Sequence, residues 1–243
     1  MAFHPTAGFW VRHLVIPLLC AAIVLSMLEQ TSFDLWLADR WYALEGGAWA
    51  WRNHWLTYDI IHHRGKQMVI GFGLLILLVT GLTFRVDRIA HWRMPLAYLF
   101  CSMAVVPALI AWSKHYSGVP CPWHLERYGG TEVYRHNLEY AVGAAQGGHC
   151  FPAGHASGGF ALLALYFAVL PFARKPLIAL IPGLVVGTVF ALGQQARGAH
   201  FISHDLWTLS LCWFGALALF FAFRPWRWPR PAGTHDTTRD ARP

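Results

Sequence analysis

Apolar residues are gathered along the chain into six long blocks, at about 11–30, 67–84, 95–112, 157–173, 177–193 and 206–223. Each block comes close to the roughly 20 mostly apolar residues that a helix needs to cross a bilayer. LVIPLLCAAIVLSML in the first and MVIGFGLLILLVTGLTF in the second are typical. Prolines and glycines inside the blocks are ordinary in membrane helices, where neighbouring segments satisfy the freed backbone groups. The pattern predicts an all-α fold, a six-transmembrane-helix bundle. The first block has a weakly charged start and no small-x-small site ahead of a soluble domain, so it reads as a retained span rather than a signal peptide.

Composition agrees. Of 243 residues, 56% are hydrophobic and only 13% charged, about half the charge of an average soluble domain. Disorder and an ordinary soluble fold are both excluded. The net charge of +7 would suggest nucleic acid as a partner, but the arginines sit at the ends of apolar blocks, where basic residues report topology. Six spans put both termini on one side. Eleven of the 19 Lys and Arg residues fall on that side, in about half the length of the other, so the positive-inside bias places the termini in the cytoplasm. Two long extracytoplasmic loops follow, about 31–66 and 113–156, with a short one at 194–205. Trp36, Trp41, Trp49, Trp51 and Trp55 in the first long loop are expected to float it at the headgroup layer. The expected organisation is one integral-membrane domain over 1–223 and a basic, proline-rich, disordered cytoplasmic tail over 224–243.

Cys20, Cys101 and Cys212 lie inside spans and read as packing residues. Cys121 and Cys150 share the second long loop, where an oxidising exterior would permit a disulfide. The same outer segments concentrate polar residues that packing does not explain. One reads SKHYSGVPCPWHLERYGG and ends in GGHCFPAGHASGGF; the other reads GQQARGAHFISHDLW. Lys114, His155, Arg197, His200, His204 and Asp205 thus stand at helix mouths in a chain that otherwise avoids charge. Ionisable groups at such depth default to a functional reading. The pair His62-His63, with Arg64 and Lys66, reads mainly as a solvated helix end, with a place facing substrate as the alternative.

Three of these segments, in this order, resemble the signature motifs of the type 2 phosphatidic acid phosphatase superfamily, which also includes bacterial acid phosphatases and vanadate haloperoxidases. The resemblance covers about residues 55–220. Pro152-Ala153-Gly154-His155 is similar to the family's Pro-Ser-Gly-His, and Gly198-Ala199-His200 to its Gly-x-His. Lys114 stands where the family has a lysine seven residues ahead of Arg-Pro; here the pair is Cys121-Pro122. Gln194 falls where the family has an arginine, His204 where it has an aspartate, and Ala153 where it has a serine. Arg197, Arg127 and Arg135 are the cations available in their place.

The resemblance implies metal-independent phosphate-ester hydrolysis without a cofactor. His200 would attack phosphorus to form a phosphohistidine, and His155 would protonate the leaving oxygen and then activate water. Lys114 and Arg197 would hold the phosphoryl oxygens, aided by the Ala153 and Gly154 amides at a helix start. A further group should accept the other N–H of His200. His204 and Asp205 both qualify; a carboxylate suits a cationic intermediate better, which favours Asp205. Ser203 reads as the N-cap of the last helix. The implied substrate is a lipid phosphate in the bacterial inner membrane (phosphatidate, phosphatidylglycerol phosphate, undecaprenyl diphosphate or a lipid A phosphate), with the site on the periplasmic face. Alternatives are a lipid-to-lipid phosphotransferase of the same fold, a non-enzymatic transporter, or a metalloprotein with His155, His200, His204 and Asp205 as ligands. The neighbouring lysine and arginine oppose a bound cation, and the apolar mid-span positions oppose a transport path. Oligomeric state is not readable from the sequence.

Overall fold

The computed structural model describes residues 4–141 and 147–229. These are all α-helical apart from loops and two isolated bridges, Gly118 to Gly148 and Leu125 to Glu132. Five helices are long and apolar enough to cross a membrane: α1 (Ala7–Glu29), α3 (Leu56–Leu82), α4 (Asp87–Lys114), α6 (Pro176–Ala196) and α7 (Ile202–Ala222). Helix α2 (Phe33–Leu44) lies in the first connection. The fourth apolar block forms the shorter α5 (Gly154–Val169). Its 16 residues span about 24 Å at the usual rise. The end expected near residue 173 is lost because the chain turns after Val169.

Helix α5 is the hub. It packs against α6, α7, α4 and α3. The tightest approach is to α6, where a side chain on Gly159 would collide with the Gly187 backbone and one on Gly187 with the Phe160 ring. Small residues at such crossings let two backbones approach, the usual way apolar helices associate in a membrane. Large apolar side chains face outward instead, among them Leu18, Leu19 and Ile23 on α1 and Leu74, Leu75 and Leu78 on α3. At one end Trp10 of α1 stacks on Phe221 of α7 at 4.6 Å, so the start of the first helix and the end of the last lie together. The tail expected from residue 224 begins later: Trp228 is buried and donates its indole N–H to the Phe223 carbonyl at 2.9 Å. Residues 230–243 of that expected tail lie outside the described residues.

The opposite end departs most from expectation. Helix α3 begins at Leu56 rather than near 67, because its first nine residues, LTYDIIHHR, coil as a π-helix ahead of the apolar stretch. The first long connection is therefore shorter and itself partly helical. Trp36, Trp51 and Trp55 are exposed, but Trp49 is packed. Gly198 has a positive φ of 68°, and any side chain there would strike the Trp49 indole. The glycine thus makes the seat for that ring, which also meets Tyr128 and Tyr42.

Ser203 is not the cap of α7. The helix starts one residue earlier, and the cap comes from α2: Asp34 accepts the Ser203 N–H at 3.0 Å and its hydroxyl at 2.5 Å. A carboxylate suits this position because the first amides of a helix are orphan donors with a positive dipole end. Burial nevertheless pushes the Asp34 carboxyl up to about 6, against the pull of the two Ser203 bonds. Cys121 and Cys150 are disulfide-linked with Cα atoms 5.2 Å apart, tying the second loop to the start of α5. Alkylation of the denatured protein should therefore count three thiols without reductant and five with it. Equal counts would disprove the link.

Candidate active site

The ends of α3, α4, α5, α6 and α7 meet beneath the capped loops. His155 sits in the first turn of α5, with its ring 4.3 Å from Phe190 and 4.5 Å from His62. Its Nε2 lies 3.2 Å from the Ile61 carbonyl. A carbonyl only accepts, so Nε2 carries hydrogen and Nδ1 is the atom left for exchange. Lys114, the last residue of α4, lies along Gly154, where an added Cβ would sit 3.5 Å from Nζ.

His200 precedes α7 and is buried. Its Nδ1 is 3.4 Å from Nδ1 of His204, one turn on. Burial first, then the positive charge of Lys114, drives the His200 pKa well below the ordinary imidazole value; His204 and His155 add to this and the Cys150 carbonyl opposes it. His155, His200, His204 and Lys114 therefore share one electrostatic neighbourhood.

Asp205 is elsewhere. Its Oδ2 accepts the Gln195 amide at 2.7 Å and its Oδ1 is buried without a partner. The expectation that Asp205 is the better partner for His200 is corrected. The extended backbone at Phe201 and the start of α7 at Ile202 bring His204 to His200, whereas Asp205 turns toward Gln195 of α6.

Arg197 is buried where α6 ends. It donates Nε–H to the Arg52 carbonyl at 2.8 Å and Nη1–H to the Gln194 side-chain oxygen at 3.1 Å, and it lies over the Tyr58 ring at 5.0 Å. No carboxylate pairs with it, and burial lowers its pKa. Among the described residues the single ion pair is Arg127 with Asp39, so Arg127 is committed away from the site. Arg135 lines a crevice with Asp34 and Asn137. Of the two amides expected to face phosphate, that of Ala153 donates to the His204 carbonyl at 3.4 Å, leaving Gly154 at the helix start.

His62 was expected at a solvated helix end. His63 and Arg64 are exposed, but His62 is half-buried against His155, and its Nδ1 is 2.7 Å from the Gln194 amide nitrogen. Hydropathy hid it by cutting the helix at residue 67. The clue available in the sequence was the Tyr58, His62 spacing of four, which puts both on one side of a helix extended backwards. Among the described residues no three His, Cys, Asp or Glu side chains are grouped to hold a metal ion.

The chain matches no curated protein and no solved structure. A family model of the PAP2 superfamily matches residues 95–228, which include Lys114, both motif histidines and all of α5 to α7. The chain therefore belongs to the PAP2 superfamily, whose members are in general phosphatases acting on phosphate esters.

Proposed function

We propose that the protein is a six-span integral-membrane lipid phosphatase whose site opens at the periplasmic face of a bacterial inner membrane, with both termini cytoplasmic and α5 as the short sixth span. One observation carries the reading: Lys114, Arg197 and the imidazoles gather at one end of an apolar bundle, and among the described residues no carboxylate is bonded to either cation. Such a cluster is complementary to an anion, and its place at the helix ends suits a phosphate whose lipid tail stays in the bilayer.

The chemistry follows from the atoms. In-line displacement needs a nucleophile, an acid for the leaving oxygen and donors on the equatorial oxygens. His200, held neutral by burial and nearby cations, attacks phosphorus through Nε2. It then donates Nδ1–H to Nδ1 of His204, so the tautomer that exposes Nε2 is the one His204 selects. His155, entering the step as the imidazolium with Nε2–H on the Ile61 carbonyl, gives its Nδ1 proton to the departing lipid oxygen, and the neutral ring then takes a proton on Nδ1 from the water that attacks the phosphohistidine. Lys114, Arg197 and the Gly154 amide hold the phosphoryl oxygens. The substrate is a phosphomonoester or diphosphate of an amphiphilic lipid, released by hydrolysis.

The test is phosphate release by purified protein over a panel of lipid phosphates. His200→Ala should abolish turnover, and His155→Ala should lower it by about 100- to 10,000-fold, the scale of a lost general acid. Undiminished release in both variants would remove the mechanism. His204→Ala should lower kcat by about 10- to 100-fold, as for other groups that orient a catalytic imidazole, with His204→Asn, which keeps an acceptor oxygen, between it and the wild type. An unchanged kcat in the alanine variant sinks that role. Because the His200 pKa lies below 6.5, the nucleophile stays unprotonated as pH falls from 8 to 6.5. The acidic limb of kcat/KM should then lie below pH 6.5, and a limb centred above it contradicts the assignment.

A further inference from the structure

The side chain of Gln194 is oriented by its neighbours. Arg197 can only donate, so the Gln194 oxygen must face it, and the amide nitrogen must face His62. That nitrogen is a donor, so Nδ1 of His62 receives it as a lone pair. A neutral His62 therefore carries its hydrogen on Nε2, a tautomer set by two hydrogen bonds that begin at Arg197. The Nε2–H itself meets no acceptor among the described residues and is not sealed from solvent.

The charged groups that act most on it are basic. Arg197 from the end of α6, Lys114 from the end of α4, and His63 and Lys66 from its own helix are its electrostatic neighbours, and His155 of α5 lies against its ring. Tyr58, one turn earlier, stacks on His62 and beneath Arg197. A donor whose tautomer is fixed by an amide, with basic groups as its main charged neighbours and no acceptor among the described residues, is suited to an anionic ligand.

We propose that His62 is a substrate-contacting residue, donating its Nε2–H to a non-bridging oxygen of the phosphate, and that Gln194 is the positioning residue that keeps this tautomer. The inference rests on the phosphatase reading and adds a contact from α3, which lies outside the matched region 95–228.

Inorganic vanadate binding to the purified full-length chain, measured by calorimetry, tests it without requiring turnover, alongside KM and kcat on a lipid phosphate. His62→Phe keeps a ring against His155 but removes the donor; His62→Gln restores an amide N–H. The phenylalanine variant should weaken vanadate about tenfold or more and raise KM in parallel, the scale of a lost hydrogen bond to a charged group, and the glutamine variant should recover part of this. Gln194→Leu should weaken vanadate less, and adding it to His62→Phe should cause no further loss. Vanadate affinity within twofold of wild type in a folded His62→Phe protein would overturn the proposal. A fall in kcat with vanadate affinity and KM unchanged would overturn it equally, because His62 would then act only through His155. Failure of the phosphatase reading looks different: wild-type protein binds vanadate with His62 in place, yet releases no phosphate from any lipid in the panel.

Discussion

Arg197 sits buried at the end of an apolar bundle, and among the described residues no carboxylate pairs with it. Burying a charge is expensive unless it is paired and hydrogen-bonded. Here the guanidinium is shared among a backbone carbonyl, an amide oxygen and an aromatic face. Each of these stabilises the cation without cancelling its charge. Lys114 adds a second positive charge whose field reaches His62, His200 and His204. The arrangement leaves an uncompensated positive potential in a low-dielectric setting, where it acts on an incoming phosphate more strongly than the same charges would in water. Most of the surrounding structure is explained by the need to hold that potential in place.

The scaffold for it was largely legible in the sequence. Six apolar blocks, the Gly-His stretches at their mouths, and Lys114 and Arg197 could all be read from hydropathy and spacing, because membrane burial imposes a strong one-dimensional signal. What could not be read was polar residue placement near the helix ends. The α3 start failed because a π-helical segment rich in His, Asp and Thr has no hydropathic signature, so His62 fell outside the expected span. Ser203 failed as a cap because the acceptor came from Asp34, 169 positions away, and cap rules consult only the local sequence. The packing of Trp49 could not be read because its seat is made by the missing side chain of Gly198.

The choice between His204 and Asp205 shows where one-dimensional reasoning reaches its limit. Chemistry favoured the carboxylate, but the fold brings the imidazole of His204 to His200 and gives Asp205 to Gln195. Two adjacent glutamines take different partners. Gln194 turns toward His62 and Arg197, while Gln195 turns toward Asp205. A neutral acceptor on His200 stabilises an imidazolium less than a carboxylate would, but it subtracts nothing from the positive potential offered to a phosphate.

Carboxylates are present near this end, and their positions carry the same logic. Asp34 is used to cap α7 and pin α2 over it, Asp39 takes Arg127, and Asp205 takes Gln195. Each is spent on holding the framework, behind or beside the cations rather than among them. Were any of the three aimed at Lys114 or Arg197, it would form an ion pair that a phosphate would have to break, and affinity would fall by the strength of that pair. On the proposed function, negative charge kept on the framework leaves the two cations to a phosphate, and the helix-end histidines accordingly make their hydrogen bonds to carbonyls, amides and one another.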